Sequence, residues 1–178
     1  MKNTHTRAIV RVALFAALIA VLSQIAIPMP SGVPVTLQTF AIALTGYVLG
    51  CRRGPAAVAV FLALGAVGVP VFANFTGGFA KLVGVTGGFL WGFLPMAFLC
   101  GLGIARPKWE ALLLGAAGLL VCHACGVVMF AVVAQSSLVR AALTVSIPYL
   151  VKDLLSVAAA FAAAQVISRA LAHAHVAA

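Results

Sequence analysis

Charged residues in this chain are confined to the edges of long apolar runs and to the gaps between them, and no other feature narrows the possible folds so far. Six apolar runs can be marked, at 7–27, 37–49, 55–67, 87–103, 109–134 and 148–171. A full membrane crossing takes roughly 20 mostly apolar residues as a helix. The second and third runs are short, and each borders glycine or proline, as in bundles where irregular backbone lines a cavity. Composition closes off the water-soluble alternative. Hydrophobic residues make up 65% of the 178 and charged residues 7%, whereas soluble domains lie near half and a quarter. Too little polar surface remains to cover a soluble core. The expectation is an all-α integral membrane protein with six transmembrane helices, one domain over 1–178. The first run is too long for the apolar part of a secretory signal, and no cleavage site follows it.

A net charge of +9 would suggest nucleic acid in a soluble chain. Here the basic residues sit at the ends of apolar runs, so they report topology, and no nucleic-acid partner is expected. With the N-terminus in the cytoplasm and six spans, the inner side holds Lys2, Arg7, Arg11, Arg52, Arg53, Arg106, Lys108 and Arg169. The outer side holds Lys81, Arg140 and Lys152. Cytoplasmic loops carry an excess of Lys and Arg, so both termini are expected in the cytoplasm. The brief basic connections "GCRRGP" and "ARPKWE" then lie inside, and the three long connections outside.

One outer connection is "FANFTGGFAKLVGVTGGFLWGF", residues 72–93, with six glycines, Asn74 and Lys81 among aromatics. Irregular backbone at membrane depth must be buried in protein or face a wet cavity. Glycine lets a chain turn with positive φ and approach a ligand closely. This favours a folded loop lining an outer pocket over tight helix packing through small residues. Another, "IPMPSGVPVTLQTF", holds Pro28, Pro30 and Pro34, which enforce an extended path. It is either a lid beside the pocket or a plain connector, with Thr36 as a helix cap or near-cap and Gln38 and Thr39 in the first turn.

The acidic residues are Glu110, at a cytoplasmic helix start, and Asp153, in "IPYLVKDLLSV". An ionisable group within a span is a functional candidate; the competing reading is a charge at a helix start paired with Lys152. Neighbouring helix positions diverge, so Lys152 and Asp153 are expected to contact different parts of a ligand rather than each other. Cys122, His123 and Cys125 in "VCHAC" lack a second ligand pair for a metal and read as packing residues. Nucleotide-binding, nucleophile-elbow and zinc-protease motifs are absent, and carboxylates on opposite membrane sides do not suit paired acid–base chemistry. No enzyme activity, metal or cofactor is expected. On the first helix Ala13, Ala16, Ala17 and Ala20 form a stripe that permits close approach of another helix.

Together, "IPMPSGVPVTLQTFAIALTGYVLGCRRG", "LGAVGVPVFANFTGGFAKLVGVTGGFLWGF" and "PYLVKDLLS" resemble the BioY family, the biotin-specific S components of energy-coupling factor (ECF) transporters. The resemblance implies an S-component-like six-helix bundle in the plasma membrane that captures biotin from outside. It implies docking, through the alanine stripe, to a transmembrane coupling subunit carrying two ABC-type ATPases, which supply the energy for delivery inward. By resemblance, Asn74 binds the ureido ring, Thr86, Gly87, Gly88 and Phe89 form a glycine-rich wall, and Asp153 is the aspartate of the last helix. The family commonly has proline where Val85 stands and lysine where Ser156 stands. Lys152, ahead of Lys81, is then the candidate for holding the ligand carboxylate. The alternatives are an S component for another water-soluble vitamin and a structural membrane subunit without ligand.

Overall fold

The computed structural model describes residues 2–176. In chain order the elements are α1 (Lys2–Ser23), β1 (Ala26–Ile27), β2 (Val35–Thr36), α2 (Gln38–Ala66), α3 (Phe79–Val83), α4 (Gly87–Leu102), α5 (Lys108–Val133), α6 (Leu138–Val145) and α7 (Ile147–Val176), with 3₁₀ turns at Ala73–Phe75 and Gly103–Ala105. Among the described residues five helices, α1, α2, α4, α5 and α7, are long and apolar enough to cross a membrane.

The second of these is two limbs. Gly50 inside α2 has φ 84° and ψ 173°, a conformation no helix contains and one that is essentially glycine's alone. Beyond it the chain doubles back. A methyl group on Gly54 would lie 3.1 Å from the Cα of Gly46, although eight residues of straight helix span about 12 Å. Pro55 lies five residues past Gly50, early in the returning limb. The two short runs at 37–49 and 55–67 are therefore the two limbs of α2, each shorter than a full crossing, and with α1, α4, α5 and α7 they make six rods. α1 stops at Ser23, short of the expected 27, because Ala26–Ile27 leaves the helix to pair antiparallel with Val35–Thr36.

α4 stands between α2 and α5 at backbone contact distance. Cβ atoms on Gly46 and Gly92 would fall 2.5 Å from the Ala97 carbonyl oxygen and 2.7 Å from the Cys122 Cα, so only glycine allows these approaches. Phe61, Ile19, Ile42, Met96 and Leu119 fill the interior. The perimeter carries exposed aliphatics on several helices, among them Leu14, Leu113, Leu120, Leu155 and Val166, as lipid-facing surfaces require. Cys122 is a buried free thiol, in keeping with its reading as a packing residue, Cys125 is half-buried, and Cys100 is buried as well.

The basic connections gather at one end of the bundle: Gly101 abuts Gly50 and Cys51, and Ile104 lies against Gly50. Arg106 and Glu110, four residues apart, form an exposed pair at 3.0 Å there. The β1–β2 hairpin, the 72–76 loop and the α6–α7 junction meet at the other end.

Candidate functional site

A cavity of about 150 Å³ opens between those three connections and the ends of α2, α4 and α5. Its apolar wall comes from Phe89, Leu90 and Phe93 on α4 and Leu119 on α5. The roof is the proline-bearing hairpin, through Gly32, Val33 and Pro34. Its connector is held to α7 by Tyr149. The phenol donates to the Val33 carbonyl at 2.6 Å and lies 2.6 Å from the Ser31 hydroxyl. Because the phenol's single proton goes to Val33, the serine hydroxyl is the donor in that second bond. The segment thus covers the cavity rather than merely connecting helices.

Asp153 lies in the cavity lining with 6% of its surface exposed. His123 Nε2 donates to its Oδ2 at 3.2 Å. With that nitrogen donating, Nδ1 of a neutral ring accepts from the Ser146 hydroxyl, 2.8 Å away at the α6–α7 junction. The imidazole is 4% exposed and stands edge-on to Phe89 with ring centroids 5.7 Å apart. Gly126, one turn further along α5, makes room for that phenyl ring. Burial of a carboxylate is tolerated only when it is paired and hydrogen-bonded; here Oδ2 accepts from His123, while Oδ1 has an ion-pair contact but accepts no hydrogen bond.

The other partner is Lys152, whose ammonium pairs with Asp153 Oδ1 and donates to the Thr36 carbonyl at 3.0 Å. The expectation that these neighbours point apart is corrected here. Their Cβ atoms diverge, but the four-carbon lysine stem folds back, and the Thr36 carbonyl gives its head a second acceptor. Thr36 stands one residue before the N-cap Leu37, a near-cap whose hydroxyl accepts from the Gln38 N–H at 3.2 Å. Ser156, in the position the family resemblance gives to lysine, faces its own helix and donates to the Lys152 carbonyl at 2.9 Å.

Asn74 and Thr86 line the cavity from the opposite wall, with Lys81 beside them. Asn74 sits in the short 3₁₀ turn with φ 58°. A pair of backbone hydrogen bonds between Phe72 and Thr76, at 2.9 and 3.3 Å, closes the base of that turn.

The BioY family model matches residues 1–173. The chain belongs to the BioY family. It is 38% identical over 166 residues to a biotin transporter BioY of Rhodobacter capsulatus, covering 85% of this chain and 87% of that one. It is 47% identical over 123 residues to a biotin transporter BioY of Thermotoga maritima, covering 68% and 72%. Among solved structures, the 2.1 Å crystal structure of the S-component for biotin from an ECF-type ABC transporter superposes with a TM-score of 0.79. That match has 26% identity and covers 93% of this chain and 94% of the other.

Within this BioY fold not every residue marked from the sequence reaches the cavity. Gly87 and Gly88 are buried at the start of α4, where added Cβ atoms would fall 2.1 Å from the Leu82 carbonyl oxygen and 2.2 Å from that of Cys125. They seat α4 against α3 and α5, and the side chains of Thr86 and Phe89 on either side supply the wall. The alanine stripe divides: Ala16 is 1% exposed and packs inward with Ile19, while Ala13 and Ala17 are exposed. Ala20, half-buried, lies between. His123 and Tyr149 were missed. The signal for the first was present, since a histidine inside an apolar run is itself an ionisable group in a span.

Proposed function

We propose that this chain is the membrane-embedded biotin-binding subunit of an ECF-type transporter, taking biotin from the outer side for delivery to the cytoplasm. The observation that carries the reading is the buried Asp153 carboxylate, backed by His123 and Lys152, facing an apolar-walled cavity whose opposite wall bears Asn74. A ureido group offers two N–H donors and a carbonyl. A carboxylate accepts, and a primary amide both accepts and donates, so Asp153 and Asn74 match it. The thioether ring fits against Phe89, Leu90 and Phe93. The ligand carboxylate needs a cation. Lys152 is already committed to Asp153 and Thr36, which leaves Lys81, on the same cavity wall as Asn74, as the better candidate. Both termini lie in the cytoplasm, with the basic end of the bundle inward. The free face of α1 around Ala13 and Ala17 docks the coupling subunit, which carries two ABC-type ATPases.

The test is thermal unfolding of the purified protein in detergent with and without biotin. At a biotin concentration of 100 times Kd, a ligand that binds only the folded state stabilises it by about 2.7 kcal/mol. A clear rise in Tm with biotin, absent with unrelated water-soluble vitamins, supports the reading; no shift together with no calorimetric binding rejects it. A structural subunit without ligand is the weaker reading, because it leaves a buried carboxylate, one oxygen of which accepts no hydrogen bond, facing an open cavity without a purpose. His123→Ala removes one charge-assisted hydrogen bond to that carboxylate, an interaction of roughly 1.5–3 kcal/mol. The expected result is a rise in biotin Kd of about tenfold or more, read by titration calorimetry.

A further inference from the structure

Gln24 follows directly on the last residue of α1 and reaches across to the loop that carries Asn74. Its Nε2 donates to the Ala20 carbonyl at 3.0 Å and to the Val71 carbonyl at 3.0 Å. Its Oε1 accepts the Phe75 N–H at 2.8 Å. Two of its three bonds thus go to a segment 47 and 51 residues further along the chain.

That segment is held in a conformation it would not choose alone. Asn74 and Phe75 are consecutive and both left-handed, with φ 58° and 54°. Asparagine tolerates this region; phenylalanine enters it only when its surroundings impose it. The loop's own bonds, between Phe72 and Thr76 and from the Thr76 hydroxyl to the Ala73 carbonyl, close its base. Beyond the 3₁₀ turn itself, neither engages the peptide linking Asn74 to Phe75. Phe75 is 73% exposed, so packing does not hold it either. Gln24 does.

We propose that Gln24 is a positioning residue for ligand binding. It fixes the Asn74–Phe75 peptide in the left-handed turn and so presents the Asn74 side chain to the cavity. The inference rests on the reading of Asn74 as a ligand contact. It also means that the helix assigned to partner docking and the loop assigned to the ligand are joined through one side chain.

The experiment compares the full-length protein, Gln24→Ala, Phe75→Gly and the double variant, with two readouts. The first is hydrogen–deuterium exchange of residues 71–76 without ligand. The second is biotin affinity by calorimetry. Gln24→Ala is expected to speed exchange of this loop at least about tenfold and to raise Kd roughly 10- to 100-fold, as loss of two hydrogen bonds and release of a strained turn imply. In the Phe75→Gly background, where glycine accepts the left-handed turn freely, the same change is expected to raise Kd less than about threefold, the signature of coupled sites. Exchange and Kd both unchanged in Gln24→Ala, even with a lower Tm, would overturn the proposal. So would an equal loss of affinity in both backgrounds. Wild-type protein that binds no biotin would instead sink the biotin reading, and the exchange comparison would still decide whether Gln24 holds the loop.

Discussion

Replacing Asp153 by alanine is expected to raise the biotin Kd by at least about 100-fold, the largest loss of any single change at the cavity. In the proposed reading the carboxylate is the acceptor for the ureido N–H groups, and hydrogen bonds to a charged group contribute roughly 1.5–3 kcal/mol each. The loss is compounded because its two protein partners are stranded. Truncating one member of a buried charge pair costs about 3–5 kcal/mol when the other stays buried. Here the stability cost falls toward the low end. The Lys152 side chain is 33% exposed and keeps the Thr36 carbonyl, while His123 keeps Ser146. Asp153→Asn, which preserves shape and one acceptor, is expected to lose less. Calorimetric titration of the three proteins checks the order, and a Kd within about threefold of wild type for the alanine variant would remove Asp153 from the ligand's contacts.

Gly88→Val is expected to have the largest effect on folding. A Cβ at this position would meet the Cys125 carbonyl oxygen at 2.2 Å and the Met129 Cβ at 2.7 Å. The first obstacle is backbone inside α5 and cannot swing aside, so α4 and α5 must separate along their whole contact. Overpacking a core costs typically 1–3 kcal/mol and more where nothing can yield. The expectation is a loss of about 3 kcal/mol or more, seen as a Tm lowered by many degrees or as failure to recover monodisperse protein. A variant with wild-type Tm and reduced biotin affinity would return Gly88 to the ligand wall that its sequence pattern first suggested.

Much of the cavity was legible because polar residues are so scarce in this chain. Asp153, Lys152, Asn74 and Thr86 stand out against apolar neighbours, and all four line the same hollow. The double-limbed α2 was legible too, from Gly50 and Pro55 bordering two short runs. What could not be read depends on partners distant in sequence. His123 becomes an anchor only when α5 is laid beside α7, thirty residues on. The five residues of α3 are too few to leave a periodic signature, whereas α6 is amphipathic but short and lies in a stretch read as a connection. Gly87 and Gly88 illustrate a different limit: the absence of a side chain serves close ligand approach and close helix approach equally well, and only the position of the Cys125 carbonyl distinguishes them. The alanine stripe divides for a geometric reason, since four positions on a helix span an arc wide enough for one edge to turn inward.

Tyr149 fastens the roof of the cavity from a position one helical turn before Asp153, with two hydrogen bonds and with Val33 buried against its ring and Val145. Neutral hydrogen bonds contribute about 1 kcal/mol each and burial of a valine side chain roughly 1.5–3 kcal/mol, so lifting this cover costs several kcal/mol. A molecule held beneath it is latched twice, by the polar floor of the chamber and by an oily hinge pin in its door.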